Sequence, residues 1–187
     1  MRAFVAVDLD ADLVDKISDM KNRLALGRLV PDENLHLTLA FLGNQSAAEL
    51  ERLHEVLCDV SLPAFFVSFR VMETLGGSTP KVLCLRASPN DSLQGLYVAV
   101  RNACRIAGIT LERRRFRPHV TIARFGGGLS RNHEVRLGCF LSDQLPNVEF
   151  RGAIRSFSLF ESILTPERAM HHNLAVYPLT GLAPSAA

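Results

Sequence analysis

The chain has 187 residues, of which 48% are hydrophobic and 21% are charged, and its formal net charge is +2. This composition predicts a packed globular protein, while the small charge excludes a general nucleic-acid coat and the lack of an apolar run of about 20 residues excludes a membrane-spanning helix. The first residues have the pattern of a strand and lack a signal peptide's cleavage region, so the cytoplasm is the expected location.

The first half of the chain alternates strands with helices. Apolar runs predict strands over 2–8 and 35–42, and apolar residues at helical spacing before a glycine predict a helix over 10–27. Ser46 to Glu49 has the form of a capping box and predicts a second helix that ends near residue 60. The expected order is therefore strand, helix, strand, helix.

The second half continues this alternation with more strands. The pattern predicts strands over 65–71, 82–87, 109–115 and 119–125, a helix over 91–107, and closing strands over 148–163 and 173–178. Residues 129–146 fit either a short helix or an irregular loop. We expect one two-lobed domain over 1–180 and a flexible tail over 181–187.

Two short segments carry the same pattern of a histidine followed two residues later by a threonine. The first is His36-x-Thr38 and the second is His119-x-Thr121, each inside an apolar run that predicts a strand. Because residues two apart on a strand share a face, each segment presents an imidazole and a hydroxyl to one side. Together they supply two imidazoles and two hydroxyls, a set suited to metal-free acid–base chemistry on a phosphate.

The spacing of the two motifs indicates an internal duplication. They lie 83 residues apart, which is nearly half of the chain. The predicted fold class is α+β, with two lobes that each consist of a mostly antiparallel sheet and outer helices. The two sheets are expected to face each other across a central cleft that holds both motifs.

The motifs and their flanks resemble the 2H phosphoesterase superfamily. Residues 30–43 and 116–124 are similar to the corresponding segments of the RNA 2′,3′-cyclic phosphodiesterases, also called 2′-5′ RNA ligases. The similarity extends from the strand at 2–8 to residues 175–179. The chain departs from this family at Leu29, where relatives often carry tryptophan, and at residues 171–172, where many have a tyrosine.

The resemblance implies a metal-independent enzyme that opens the 2′,3′-cyclic phosphate ends of RNA to 2′-phosphate ends, with reversible 2′-5′ ligation as a further activity. It implies that His119 is the base that activates water and that His36 is the acid that protonates the leaving oxygen. From the residues alone, these two roles stay open. The resemblance also implies phosphate contacts from Thr38, Thr121 and Arg124.

The same resemblance defines the expected partners. RNA ends or small cyclic nucleotides are the expected substrates, and a monomer without cofactor, metal ion or membrane contact is the expected state. Two other functions fit the residues. A hydrolase of another small cyclic phosphate, such as an ADP-ribose or nucleoside derivative, would need the same four residues, and a non-catalytic nucleotide- or RNA-binding module would retain the fold. Intact histidines argue against the binding module, and a turnover assay decides that point, whereas the sequence does not separate the two hydrolases well.

Three features near the motifs have less direct interpretations. Strict alternation directs Arg124 away from His119, five residues earlier, unless a bulge beside the following glycine-rich loop turns it back. The same alternation places Phe41 in the core rather than on a base-stacking surface. The basic run from Arg113 to Arg117 is either a solvated strand face or a track for RNA.

Metal-binding patterns are weak in this sequence. His171 and His172 are adjacent and cannot both face one side of a strand, so we expect no metal site there. The four cysteines are dispersed without a C-x-x-C pair, which argues against a zinc knuckle and predicts reduced, mostly buried thiols.

Overall fold

The structure is a computed structural model that describes residues 1–77, 79–113, 115–126, 129–165 and 169–182. Within these ranges it contains ten strands, four α-helices and two short 3₁₀ helices, Asp32–Asn34 and Leu145–Asn147. In chain order the strands and α-helices are β1 (Arg2–Asp8), α1 (Ala11–Lys21), β2 (Arg28–Leu29), β3 (His36–Asn44), α2 (Ala47–Cys58), β4 (Pro63–Leu75), β5 (Val82–Ala87), α3 (Asp91–Ile106), β6 (His119–Arg124), α4 (Arg131–Gln144), β7 (Phe150–Ile154), β8 (Ser156–Leu164), β9 (Ala169–Pro178) and β10 (Thr180–Leu182).

The strands form two half-sheets that are joined through their motif strands. The order is β10-β4-β5-β6-β3-β1-β8-β9, with β7 beside β4 and β2 beside β6. In the described chain β10 runs parallel to β4, and the other pairs are antiparallel. The junction between β3 and β6 is the single pair Leu37 and Val120. The predicted α+β fold with mostly antiparallel strands is confirmed.

The two halves of the chain repeat one order of elements. β1, α1, β3 and α2 in the first half correspond to β5, α3, β6 and α4 in the second. Each helix follows a residue whose side chain accepts a hydrogen bond from the backbone N–H three positions later, and these residues are Asp10, Ser46, Asn90 and Ser130. The segment 129–146 thus contains a helix, although periodicity left it undecided because α4 buries few apolar side chains.

The helices cover the sheet face opposite the histidines. α1 packs against β6 and β7, while α3 packs against α2 and β3. Leu37 and Val120 point toward this helical side and are fully buried. The other face of β3 and β6, which carries the histidines and threonines, therefore remains open to the cleft. Among the described residues, no helix is long and apolar enough to cross a membrane.

Three expectations were wrong in detail. Residues 109–113 and 115 form no strand, because β5 and β6 pair with each other and have β4 and β3 on their outer sides, which leaves no edge for the segment. α1 ends at Lys21 rather than at residue 27, and β2 follows it along β6. Of the four free thiols, only Cys84 and Cys104 are buried.

The tail prediction falls largely beyond the described part of the chain. Residues 183–187 lie outside the described residues, while Gly181 and Leu182 belong to β10. The boundary of the domain near residue 180 stays a prediction.

Two glycines give a matched test of how closely α1 packs on β7. A Cβ at Gly152 would lie 2.7 Å from Leu13 Cδ2 and 3.0 Å from its Cβ, whereas a Cβ at Gly95 in α3 would meet nothing within 4 Å. Because Leu13 is fully buried and cannot swing away, Gly152→Ala should lower the free energy of unfolding by about 1–3 kcal/mol. Gly95→Ala should raise it by about 0.5–1 kcal/mol through helix propensity. Urea denaturation measures both, and equal effects of the two variants would contradict this account of the α1–β7 contact.

Candidate active site

The junction between the half-sheets sets the two motifs side by side. β3 and β6 are antiparallel and pair at Leu37 and Val120, one position after each histidine. Extending this register by one residue in each direction sets His36 beside Thr121 and Thr38 beside His119. Because all four lie on the face opposite the buried pair, the cleft surface alternates imidazole and hydroxyl.

Each imidazole is held by the same kind of contact, a hydrogen bond to the backbone carbonyl two residues earlier. His36 Nδ1 lies 2.8 Å from the carbonyl oxygen of Asn34, and His119 Nδ1 lies 2.7 Å from that of Arg117. A carbonyl oxygen only accepts, so each Nδ1 must carry a proton and donate it. In the neutral ring this leaves the lone pair on Nε2, and the protonated ring can donate a proton from the same atom.

A β-bulge in each motif strand brings the residue five positions after the histidine back to the cleft. On β5, Arg86, Cys84 and Val82 share one face, and they pair with His119, Thr121 and Arg124 on β6. The register shifts between Leu83 and Cys84, so Ile122 is the extra residue. Arg124 therefore lies on the same face as the histidine, as the bulge alternative predicted.

A β-bulge also explains why the prediction that Phe41 lies in the core was wrong. Asp8, Ala6 and Phe4 of β1 share a face and pair with His36, Thr38 and Phe41, with Leu39 as the extra residue. Phe41 consequently points to the cleft and is 67% exposed instead of lying in the core. Strict alternation gave the wrong face because it does not allow for the bulge.

The turn before His36 is anchored by a buried lysine. Lys21 on α1 is 3% exposed, donates a hydrogen bond to the carbonyl oxygen of Val30 and forms an ion pair of 2.5 Å with Asp32. Ser18 Oγ also donates to Asp32, at 2.9 Å. The hydrogen bond from Lys21 lowers the pKa of the Asp32 carboxyl. These contacts fix the start of the turn that ends at Asn34, whose carbonyl holds His36.

The surroundings of His36 lower its pKa. Burial lowers the pKa of His36 from 6.5 to about 4, against the opposing effect of the hydrogen bond to Asn34 and with further lowering by His171, Arg124 and His119. The Asp8 carboxylate, on the strand beside His36, accepts hydrogen bonds from Ser156 and Ser158 at 2.8 and 2.7 Å. Because its pKa is about 4, His36 is neutral near pH 7 in the free protein.

The structure adds a third histidine to the site, His171, which the sequence motifs did not mark as a site residue. The rings of His171 and His36 lie 5.3 Å apart between centroids in an edge-on arrangement. His171 belongs to β9, which is separated from β3 by β8 and β1 in the sheet. A contact across so many strands leaves no spacing signal in the sequence, and only the departure of residues 171–172 from the family pattern marked this position.

The basic run before His119 and the possible metal ligands are the remaining candidates from the sequence. Arg113, Arg115 and Arg117 are exposed, while Arg114 lies outside the described residues. The choice between a solvated face and an RNA track for this run stays open. Among the residues that the structure describes, no group of three or more His, Cys, Asp or Glu side chains is arranged to hold a metal ion.

Comparison with known proteins gives one consistent family. The sequence signature of the 2′-5′ RNA ligase superfamily matches residues 8–152. The RNA 2′,3′-cyclic phosphodiesterase of Archaeoglobus fulgidus is 30% identical over 183 residues, covering 95% of this chain and 99% of that protein. The fold matches TT0787 of Thermus thermophilus with a TM-score of 0.77 at 23% identity, over 97% of this chain and 99% of that one. It also matches Escherichia coli LigT complexed with phosphate, with a TM-score of 0.70 at 25% identity, over 96% and 97% of the two chains.

The lowered pKa of His36 predicts an acid-sensitive fold. Between pH 6.5 and about 4 the unfolded chain binds a proton at His36 that the folded chain does not, so stability falls as the pH falls through this window. The loss should be about 1.4 kcal/mol per pH unit. His36→Asn retains an amide donor for the Asn34 carbonyl but removes the titration, so its free energy of unfolding should decline less steeply. Urea denaturation at a series of pH values compares the two, and parallel curves would refute the prediction.

Proposed function

The chain belongs to the 2′-5′ RNA ligase superfamily, and we propose that it hydrolyses RNA 2′,3′-cyclic phosphate ends to 2′-phosphate ends with His36 and His119 as its acid–base pair. The observation that supports this proposal best is the register at Leu37 and Val120, which sets each histidine beside the threonine of the other motif. A single phosphate in the cleft would then meet two imidazole Nε2 atoms and two hydroxyls. LigT of Escherichia coli, which has the same fold, has been crystallised with phosphate.

The proposed reaction is an attack of water on phosphorus with loss of the 3′ oxygen. His119 Nε2 takes a proton from the attacking water as the new phosphorus–oxygen bond forms. The bond between phosphorus and the ribose 3′ oxygen breaks, and His36 Nε2 delivers a proton to that oxygen. The products are a 2′-phosphate and a free 3′ hydroxyl, and the proton count is balanced because one histidine gains the proton that the other loses.

The remaining cleft residues stabilise the charge of the phosphate. Thr38 and Thr121 donate hydrogen bonds from their hydroxyls to the non-bridging oxygens. Arg124, turned into the cleft by the bulge at Ile122, adds a positive charge beside them. A 5′ hydroxyl that attacks in place of water would give a 2′-5′ phosphodiester, which is how the same residues would support ligation.

The acid role of His36 requires the substrate to restore its proton. A pKa of about 4 leaves His36 neutral in the free protein at pH 7. A phosphate charge about 4 Å away contributes about 4 kcal/mol at an effective dielectric constant of 20, equivalent to about 3 pH units. That is enough to bring the pKa of His36 back to near 7. The bound cyclic phosphate would therefore create the acid that its own hydrolysis needs.

The substrate assignment is tested with an oligoribonucleotide that ends in a 2′,3′-cyclic phosphate. We expect conversion to a 2′-phosphate end, identified by chromatography against synthetic 2′- and 3′-phosphate standards. Activity should survive exhaustive EDTA treatment, because the proposed proton transfers and hydroxyl contacts use no metal ion. A 3′-phosphate product, or a loss of turnover that zinc or magnesium restores, would contradict the proposal.

The acid and base roles are tested by changing the leaving group. His36→Ala and His119→Ala should each lower the rate on a cyclic phosphate about 10²–10⁴-fold, whereas His133→Ala, at an exposed position on α4, should not. A phosphodiester with a nitrophenolate leaving group needs no proton donor. It should rescue His36→Ala and leave His119→Ala slow. Rescue of His119→Ala alone would exchange the two roles.

A further inference from the structure

The β8–β9 hairpin brings His171 against the inner side of His36. The two imidazoles are nearly perpendicular, with an interplanar angle of 87° and 5.3 Å between centroids. His171 also meets the Phe4 ring edge-on at 4.9 Å, and Phe4 in turn lies 4.8 Å from His36. The three rings therefore form one cluster in which His36 is packed from two directions.

A second contact ties the same hairpin to His36. The Asn34 side chain donates a hydrogen bond from Nδ2 to the carbonyl oxygen of Ala169, at 3.0 Å, two residues before His171. The Asn34 carbonyl accepts the hydrogen bond from His36 Nδ1. Asn34 itself is only 9% exposed. One residue thus links the hairpin backbone and the His36 ring, independently of the contact between the two imidazoles.

The protonation state of His171 follows from its surroundings. Its Nδ1 is buried and has no hydrogen-bond partner among the described residues. A proton on that atom would bury an N–H without an acceptor, at a cost of about 1–3 kcal/mol. Burial, followed by the charge of Arg124, lowers the pKa of His171 against the opposing effect of the Met170 backbone, so these surroundings favour the neutral ring.

We infer that His171 is a positioning residue for His36, which fixes the plane of the His36 ring and keeps water from its inner side. The water that it excludes would come from a neighbouring cavity of about 510 Å³, which both histidines line. The inference rests on the proposed function, since positioning has a consequence for turnover only if His36 acts on substrate.

Several charged or titratable groups other than His171 lie near His36 and must be held constant in a test. Arg124 and His119 approach it from β6, and Asp8 pairs with it from β1. The cavity beside His36 also carries the carboxylates of Asp8, Asp15, Asp32 and Glu33. Substitutions restricted to β9 leave all of these in place.

The chain offers a matched set of variants on β9. His171→Ala removes the ring, His171→Phe keeps an aromatic ring without nitrogens, and His172→Ala changes the adjacent exposed histidine. In the free protein, NMR titration should find the pKa of His36 raised by about one unit or more in His171→Ala as water enters. It should change little in His171→Phe and His172→Ala.

Kinetics on a nucleoside 2′,3′-cyclic phosphate supply the second readout. His171→Ala should lower kcat about tenfold with a smaller change in KM, while His171→Phe should recover most of the loss. An unchanged pKa of His36 in His171→Ala, or an equal shift in His172→Ala, would overturn the inference. A wild-type protein that hydrolyses no cyclic phosphate would instead refute the proposed function, and the titration would still decide whether His171 controls the environment of His36.

Discussion

The site depends on one backbone pairing, that of Leu37 with Val120. Both side chains are fully buried under the helices, and within the described chain this pair is the junction through which β3 and β6 join the half-sheets. An antiparallel pair has local twofold symmetry, so two copies of one motif that meet this way present their functional groups symmetrically. The apolar positions of the motifs hold the junction together, and the polar positions thereby acquire a common surface.

The two bulges turn one further residue of each motif strand to the cleft face, at equivalent positions. Each strand has an extra residue directly after its threonine, Leu39 in β3 and Ile122 in β6. The residues that the bulges redirect to the cleft, Phe41 and Arg124, differ completely in chemistry. The duplicated backbone thus offers equivalent positions, and the side chains at these positions make one flank of the cleft aromatic and the other cationic.

Desolvation breaks the symmetry between the two histidines. Each donates from Nδ1 to a carbonyl two residues earlier, so local hydrogen bonding does not distinguish them. His36, however, is packed by Phe4 and His171, and burial is the largest cause of its lowered pKa. Burial thus distinguishes two motifs whose local hydrogen bonds are alike, and the neutral His36 must regain a proton from the effect of the bound phosphate before it can take the acid role proposed for it.

The amino-acid sequence alone was enough to predict the local patterns of this protein. The periodicity of two predicted β3 and β6, helix caps such as Ser46 were visible as residue types, and the repeated His-x-Thr motif predicted two histidines and two threonines as candidate site residues. These features depend on neighbours within a few positions, so they can be read along the chain. The same is true of the internal duplication, because the order of elements is a property of the chain itself.

Long-range contacts, in contrast, set the orientation of Arg124 and Phe41, the environment of His36 and the position of His171 beside it. A bulge depends on the register with the neighbouring strand, and β1 and β5 are distant in sequence from the strands they set in register. The contact between His171 and His36 joins strands that are not even neighbours in the sheet. Burial is likewise the sum of contacts from many segments, and for this reason the pKa of a histidine is a property of the fold and not of its motif.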